Sequence, residues 1–287
     1  MKKSNVREQI QTKGMLIVPG VYDALTARIA EKVGFKVLLM GGYSISATRL
    51  GQPDVGFLTM SEMASQIKII ASAVNVPVIA DGDTGYGNPM NVMRTVREYE
   101  EAGASGIILE DQQWPKRCGH IEGKSVISLE EHVKKIEASL RARSDEDFII
   151  FGRTDSLSLY GIEEAINRGR AYRDAGADII FVESPRSIEE LIAIREGIPD
   201  VPLAVSIIEG GKTPLLSSQK LEEMGYKILF FGCTAVFVIA KTFMNAMTYL
   251  KEKGNTEGLL DQMYIFSDFN ELMGIKDFFD LEKKYRY

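Results

Sequence analysis

Eight short apolar runs, each followed by a stretch with helical spacing or turn signals, constrain this fold more than any other feature. They are Leu16-Val18, Val37-Met40, Pro77-Ala80, Gly106-Leu109, Phe148-Phe151, Ile179-Val182, Pro202-Val205 and Ile228-Phe231. Runs that are apolar throughout, rather than alternating, belong to strands covered on both faces, as parallel strands flanked by helices are. Between them, Ser61 to Val74, Val92 to Ala102 and Leu129 to Leu140 carry apolar residues at helical intervals. Glu101-Ala-Gly-Ala-Ser-Gly-Ile-Ile and Asp174-Ala-Gly-Ala-Asp-Ile-Ile echo one another: a glycine closes a helix and a strand begins at once. Eight such units in 287 residues predict an α/β fold, a (β/α)8 TIM-type barrel, whose usual size is ~250 residues. An open doubly wound sheet is the runner-up.

The barrel is expected over residues 1–251 and a C-terminal helical extension over 252–287. Thr234 to Lys251 reads as one long helix. Leu259 to Tyr287 adds Phe266, Phe269, Leu272, Ile275, Phe278, Phe279 and Leu281. So much apolar surface needs a partner, either the chain's own barrel or a neighbouring subunit.

Composition excludes several classes. A net charge of −6 without a basic stripe argues against nucleic acid as a partner. No run approaches the ~18 apolar residues of a membrane span, and the N-terminal Met1-Lys-Lys-Ser-Asn-Val-Arg-Glu has no apolar signal core. Cys118 and Cys233, the only cysteines, form no CxxC pair, so a reducing cytoplasm is the expected compartment. Two histidines, His120 and His132, are too few for a histidine-rich metal centre.

In such a barrel the C-terminal ends of the strands line the active-site mouth. The second strand leads into Gly41-Gly42-Tyr43-Ser44, where glycines let backbone N–H groups approach an anion. The third gives Asp81, Asp83 and the Thr84-Gly-Tyr-Gly87 loop; the fourth gives Glu110, with Lys116, Cys118 and His120 just beyond. The fifth contributes Arg153 and Asp155, the sixth Glu183, and the seventh Ser206 and Glu209, before Gly210-Gly211-Lys212-Thr213. Asp81, Asp83, Glu110 and the loop residue Asp54 form an all-oxygen set suited to Mg2+, or Mn2+ in its place. Singly, each acid is better explained as a helix cap or an ion-pair partner; four on one rim favour the metal.

Lys116-Arg-Cys-Gly-His120 is the most chemical segment. Cations beside a thiol lower its pKa, so Cys118 is expected to be a proton donor or nucleophile near neutral pH rather than a small buried filler. The loop from Gln112 to Ser125, with glycines at 119 and 123, suits closure over a substrate. Three matches fail. Asp83-Thr-Gly85 is a single protease-like triplet in a βα pattern. Gly211-Lys-Thr213 lacks the earlier phosphate-loop glycine, which is Ser206, and the EF-hand-like start at Asp81 has Tyr86 and Val92 at its key positions.

Taken together, these residues resemble the isocitrate lyase / phosphoenolpyruvate mutase superfamily. The likeness runs from Val18-Pro-Gly-Val-Tyr-Asp23 to Phe266-Ser-Asp-Phe-Asn-Glu-Leu272. It is most specific at Asp81-Gly-Asp83-Thr-Gly-Tyr-Gly, Glu110-Asp-Gln, Lys116-Arg-Cys-Gly-His120, Arg153-Thr-Asp155 and Glu209-Gly-Gly-Lys-Thr-Pro214. The resemblance implies a barrel whose last helix swaps between subunits of a homotetramer. It also implies Mg2+ held by Asp81 and Asp83, with Asp54 and Glu110 acting through water, and a small dicarboxylate substrate.

Within that superfamily the Lys-Arg-Cys-Gly-His segment marks carbon–carbon lyases, and phosphonate-forming mutases lack its cysteine. In 2-methylisocitrate lyases an arginine at the position of Phe237 binds an extra carboxylate, with Asn at the position of Ser206 and Ser at that of Gly41. An aromatic ring cannot replace a guanidinium there. The resemblance is therefore closest to the branch of petal death protein and 2,3-dimethylmalate lyase, which acts on 2-substituted malates. Leu50-Gly-Gln-Pro-Asp54, Asp111-Gln-Gln-Trp-Pro-Lys116 and Ile208-Glu-Gly-Gly-Lys-Thr-Pro214 carry that likeness. Oxaloacetate acetylhydrolase shares much of the pattern and stays open. Behind it stand 2-methylisocitrate lyase, carboxyphosphonoenolpyruvate phosphonomutase and a non-catalytic barrel kept for scaffolding.

The roles implied are specific. Cys118 protonates the leaving half, His120 and Arg117 bind its carboxylate, and Lys116 belongs to the same catalytic segment. Backbone at Gly42 and Tyr43 holds the C1 carboxylate, Arg153 supplies countercharge, and Glu183 orients Arg153 or a water. Tyr43 or the substrate alkoxide itself serves as base. Asp81, Gly119, Ser206 and Phe237 complete the substrate-binding set.

Overall fold

In the computed structural model, which describes residues 5–286, all eight expected strands form. They are β1 (Leu16–Val21), β2 (Leu38–Met40), β3 (Val78–Asp81), β4 (Gly106–Glu110), β5 (Ile149–Thr154), β6 (Ile179–Val182), β7 (Leu203–Ser206) and β8 (Ile228–Phe231). Every pairing is parallel and follows chain order. Closure comes from β8 against β1, with Leu16 beside Ile228 and Pro19 beside Phe231. The predicted barrel is the fold; the open sheet is excluded. Met1 to Ser4, half of the N-terminal stretch read above, and Tyr287 lie outside the described residues.

The helices form where spacing and caps agree. Met60–Ala73 starts at Thr59 and Pro89–Glu101 at Asn88, each with a reciprocal capping box that satisfies otherwise unpaired N–H groups. Leu129–Ala142 starts at Ser128, whose side chain accepts from Glu131 N. Their apolar faces pack on the outer surface of the barrel around Ile70, Val96, Ile107, Ile136 and Ile150.

A second apolar cluster fills the barrel itself. It contains Leu39, Ile79, Ile108, Phe151, Phe181, Ala204 and Phe230. The helix Val6–Gln11 supplies the fully buried Val6 to that same cluster. Arg7 and Arg143 fix this end of the barrel by pairing with Asp178 at 2.9 and 2.8 Å. Side chains alternate along a strand, so the next inward positions are Gly41, Asp81, Glu110, Arg153, Glu183, Ser206 and Gly232. All seven line one cavity at the C-terminal mouth.

The contacts divide the chain into a compact unit ending at Val236 and a second from Phe237 onward. The sequence-level division at residue 251 falls near the end of the helix Thr234–Lys253, whereas the contacts part within its first turn. The second unit continues through a 3-10 turn, Glu257–Gln262, to the helices Phe266–Leu272 and Ile275–Tyr285. Phe266 is 87 % exposed and Phe278 63 %. Among the described residues no helix is long and apolar enough to cross a membrane.

His132 gives the barrel wall a pH dependence. It is fully buried, with its ring 4.6 Å from that of Tyr172. Burial first, then the charges of Lys135 and Arg168, depress its imidazole from 6.5 to about 3. The unfolded chain takes up a proton near 6.5 and the folded chain does not until about 3, so acidification across that window removes stability. His132→Gln should flatten the fall of Tm between those pH values. Parallel Tm–pH curves for the two proteins would contradict this.

Candidate active site

Two charge clusters share the mouth of the barrel. In the first, Asp81 at the end of β3, Asp83 just beyond it, Glu110 at the end of β4 and the loop residue Asp54 come together. Lys116, only 3 % exposed, reaches into them: its ammonium lies 2.7 Å from Asp54 and 2.6 Å from Asp83. Asp81 accepts from the N–H groups of Gly42 and Asp83, each at 3.0 Å. Two sequence expectations change here. Lys116 partners the carboxylates rather than the neighbouring thiol, and the Gly42 N–H, expected to face a substrate, is directed at Asp81.

The cluster has an excess of negative charge. Burial pushes the Asp83 carboxyl up to about 6, with Lys116 opposing and Asp81 and Asp54 adding to the rise. Burial likewise raises Glu110, although Arg153 opposes it. One buried oxygen of Glu110 has no hydrogen-bond partner. Four carboxylates facing two cations, with one orphaned oxygen, fit a hard divalent cation. Among the described residues, however, no three acids, cysteines or histidines already surround a common point. Lys116 stands between them.

The second cluster is built on Arg153. Its guanidinium donates to both oxygens of Asp155 at 2.9 and 3.2 Å. It also lies 3.2 Å from Glu110, 3.4 Å from Glu183 and over the Phe181 ring at 5.3 Å. Glu183 faces His120 Nε2 at 3.0 Å, while His120 Nδ1 accepts from the Lys212 N–H at 3.0 Å. That arrangement places the imidazole proton on Nε2. Burial works to raise the Glu183 carboxyl, but Arg153 and His120 outweigh it and hold it below the ordinary range.

Cys118 lies between the clusters, and its sequence reading needs correcting. Its thiol is pushed up to about 11. Burial is the main cause; the His120 backbone opposes, and Asp54 and Glu183 add to the rise. Lys116 is occupied by its carboxylates, and the Arg117 guanidinium donates to the Glu122 carbonyl at the exposed side of the loop. Adjacency in sequence therefore supplies no thiolate. The thiol keeps its proton, which suits an acid better than a nucleophile. Tyr43 is raised as well, by burial and then by Cys233, Cys118 and Asp54.

Gly119 fits only as glycine. A Cβ there would sit 2.4 Å from Glu183 Cγ and 2.6 Å from Arg153 Nη2. Ser206 lines the cavity beside Ile208. Phe237 begins the second unit, so its relation to this mouth stays an expectation from resemblance. Sequence reading gave no role to Lys124, which pairs with Asp155 at 2.9 Å, or to Cys233, which lines the cavity after β8. Cys233 follows an apolar strand as Glu183 does, and that signal was available.

Comparison with known proteins gives this mouth its relatives. The phosphoenolpyruvate phosphomutase family model matches residues 7–251. A 2,3-dimethylmalate lyase from Eubacterium barkeri is 48 % identical, covering 98 % of this chain and 97 % of its own. The chain belongs to the phosphoenolpyruvate mutase / isocitrate lyase superfamily. An oxaloacetate acetylhydrolase bound to 3,3-difluorooxalacetate superposes with a TM-score of 0.93 at 35 % identity, covering 99 % of this chain and 96 % of that one. A phosphonopyruvate hydrolase in complex with oxalate and Mg++ gives a TM-score of 0.89 at 28 % identity, with 99 % of both chains covered. Superfamily membership is thus shown over nearly the whole chain, while its named members differ in chemistry.

Gly119→Ala tests the packing of this mouth. The added methyl should lift the loop, raising tryptic cleavage after Arg117 by about tenfold with little change in Tm. Cleavage at the wild-type rate would mean that Glu183 and Arg153 yield without cost.

Proposed function

We propose that this enzyme is an oxo-acid lyase that cleaves the C2–C3 bond of a 2-alkylmalate or 2,3-dialkylmalate, with 2,3-dimethylmalate, giving propionate and pyruvate, as the leading substrate. The observation that carries the reading is Cys118: a thiol kept protonated between a carboxylate cluster and an arginine, where a carbanion would need its proton. The 48 % identity to a protein named for that reaction supports it.

The residues divide the work as follows. The turn at Tyr43, next to the Gly42 N–H that Asp81 occupies, receives the C1 carboxylate and Arg153 the 2-oxo acid end. Once the C2 hydroxyl has lost its proton, the C2–C3 electron pair passes to C3 and C2 becomes a carbonyl. Cys118 then gives its proton to C3, completing the short carboxylic acid. His120, held by Glu183 and the Lys212 N–H, faces the leaving carboxylate, with Arg117 at the rim. Glu183 also steadies Arg153. The raised pKa of Tyr43 keeps its hydroxyl protonated and counts against it as the base, so the C2 hydroxyl proton passes to solvent water and the alkoxide forms before the bond breaks. Mg2+, or Mn2+, held by Asp81 and Asp83 directly and by Asp54 and Glu110 through water, would supply positive charge for the C2 oxygen.

Oxaloacetate hydrolysis is the second reading, supported by the TM-score of 0.93 to an acetylhydrolase. We also infer a homotetramer with swapped C-terminal helices, since Phe266, Phe278 and Phe279 present apolar surface that a second subunit would cover. A cytoplasmic location is supported by two unpaired cysteines.

Product analysis with Mg2+ decides between the readings. Pyruvate with propionate from 2,3-dimethylmalate, or with acetate from 2-methylmalate, is the expected result; oxalate with acetate from oxaloacetate as the dominant products would replace it by the hydrolase. Cys118→Ser should lower kcat by roughly 10²- to 10⁴-fold with KM little changed. Phe237→Arg should improve turnover of 2-methylisocitrate; turnover of that tricarboxylate by the wild type would overturn the reading of Phe237 taken from the resemblance.

A further inference from the structure

We propose that Lys124 is a positioning residue: its ammonium latches the 112–125 loop to Asp155 and, through Asp155, sets the guanidinium of Arg153. Lys124 is only 8 % exposed, although it belongs to the loop that rims the mouth. Its Nζ donates to Asp155 Oδ1 at 2.9 Å and to the carbonyl of Gly119 within the same loop. One cation thus closes the loop's own turn and ties that turn to the barrel.

Asp155 is a fixed anchor. Its N–H donates to Asp111 at 2.9 Å, and Asp111 is held in turn by Thr154, Arg168 and Tyr172 at 2.7 to 2.9 Å. The oxygen that takes Lys124 also accepts from Gln112 Nε2 and Arg153 Nη2, both at 3.2 Å. Lys124 and Arg153 therefore compete for one carboxylate. With the loop seated, Lys124 holds part of that charge and leaves Arg153 Nη2 turned toward Glu110 and Glu183, at 3.2 and 3.4 Å. With the loop raised, Asp155 Oδ1 loses Lys124 and Gln112, and its freed charge draws Arg153 Nη2 closer to it and away from Glu110 and Glu183. Closure and the readiness of Arg153 become one event.

This inference rests on the proposed lyase reading only in assigning Arg153 to a 2-oxo acid. Trp114, the chain's single tryptophan, reports the loop independently of that assignment: it lies on the loop, 5.8 Å from Tyr86 and 43 % exposed. In the full-length protein, Lys124→Met should raise acrylamide quenching of Trp114 about threefold with Tm nearly unchanged, and Lys124→Arg should restore most of the protection. Asp155→Asn breaks the same contact from the barrel side and should raise quenching alike, so it carries the test if Lys124→Met does not fold. Oxalate with Mg2+, titrated by calorimetry, should bind Lys124→Met about tenfold more weakly than wild type. Unchanged quenching in Lys124→Met, or in Asp155→Asn where the former does not fold, overturns the latch. Raised quenching with undiminished oxalate affinity overturns its link to Arg153. If wild type itself binds no oxalate, the assignment of Arg153 fails, while quenching still decides the latch.

Discussion

Closure of eight parallel strands fixes which side chains meet in this protein. Once β8 pairs with β1, each strand must point every second residue inward. The inward series begins with apolar residues that fill the barrel and ends with charged ones at the mouth. Ile79 precedes Asp81, Ile108 precedes Glu110, Phe151 precedes Arg153 and Phe181 precedes Glu183. The chemical site is thus the last layer of the same packing that stabilises the fold. A slip of one residue in any of these strands would turn its charged residue away from the mouth and toward the helices.

That geometry concentrates charge in a place where water is scarce, and the site depends on how the charge is shared. Lys116 and Arg153 each touch more than one carboxylate, yet acids outnumber them. Burial is the main cause of the raised pKa values at Asp83 and Glu110, the neighbouring acids add to it, and one buried oxygen of Glu110 has no hydrogen-bond partner. A divalent cation is the simplest remedy. Cys118, placed between the two groups, keeps its proton because burial and the nearby acids outweigh Arg153.

The loop after β4 joins the two clusters. It sends Lys116 to the carboxylates and Lys124 to Asp155, with Cys118 and Gly119 between them. Gly119 packs so closely on Glu183 and Arg153 that the segment and the barrel end are effectively one surface. Movement of this loop would therefore change the electrostatics of the mouth as well as its access to solvent.

Much of this was legible in the chain. Apolar runs fixed the eight strands, the residues just beyond them named the carboxylates, Arg153 and Cys118, and the motifs named the superfamily. These are local signals, set by periodicity and by position along a strand. The partners of the buried charges were not legible. Lys116 reaches Asp54 across 62 residues and Lys124 reaches Asp155 across 31. Whether a cation lowers a thiol pKa or neutralises an acid depends on distance in space and on burial, neither of which spacing in the sequence encodes. The sequence by itself determined the strands and which groups stand at the mouth; only the tertiary structure decided which of those groups pair, because charges in a closed, poorly hydrated site settle with whichever opposite charge the fold brings nearest.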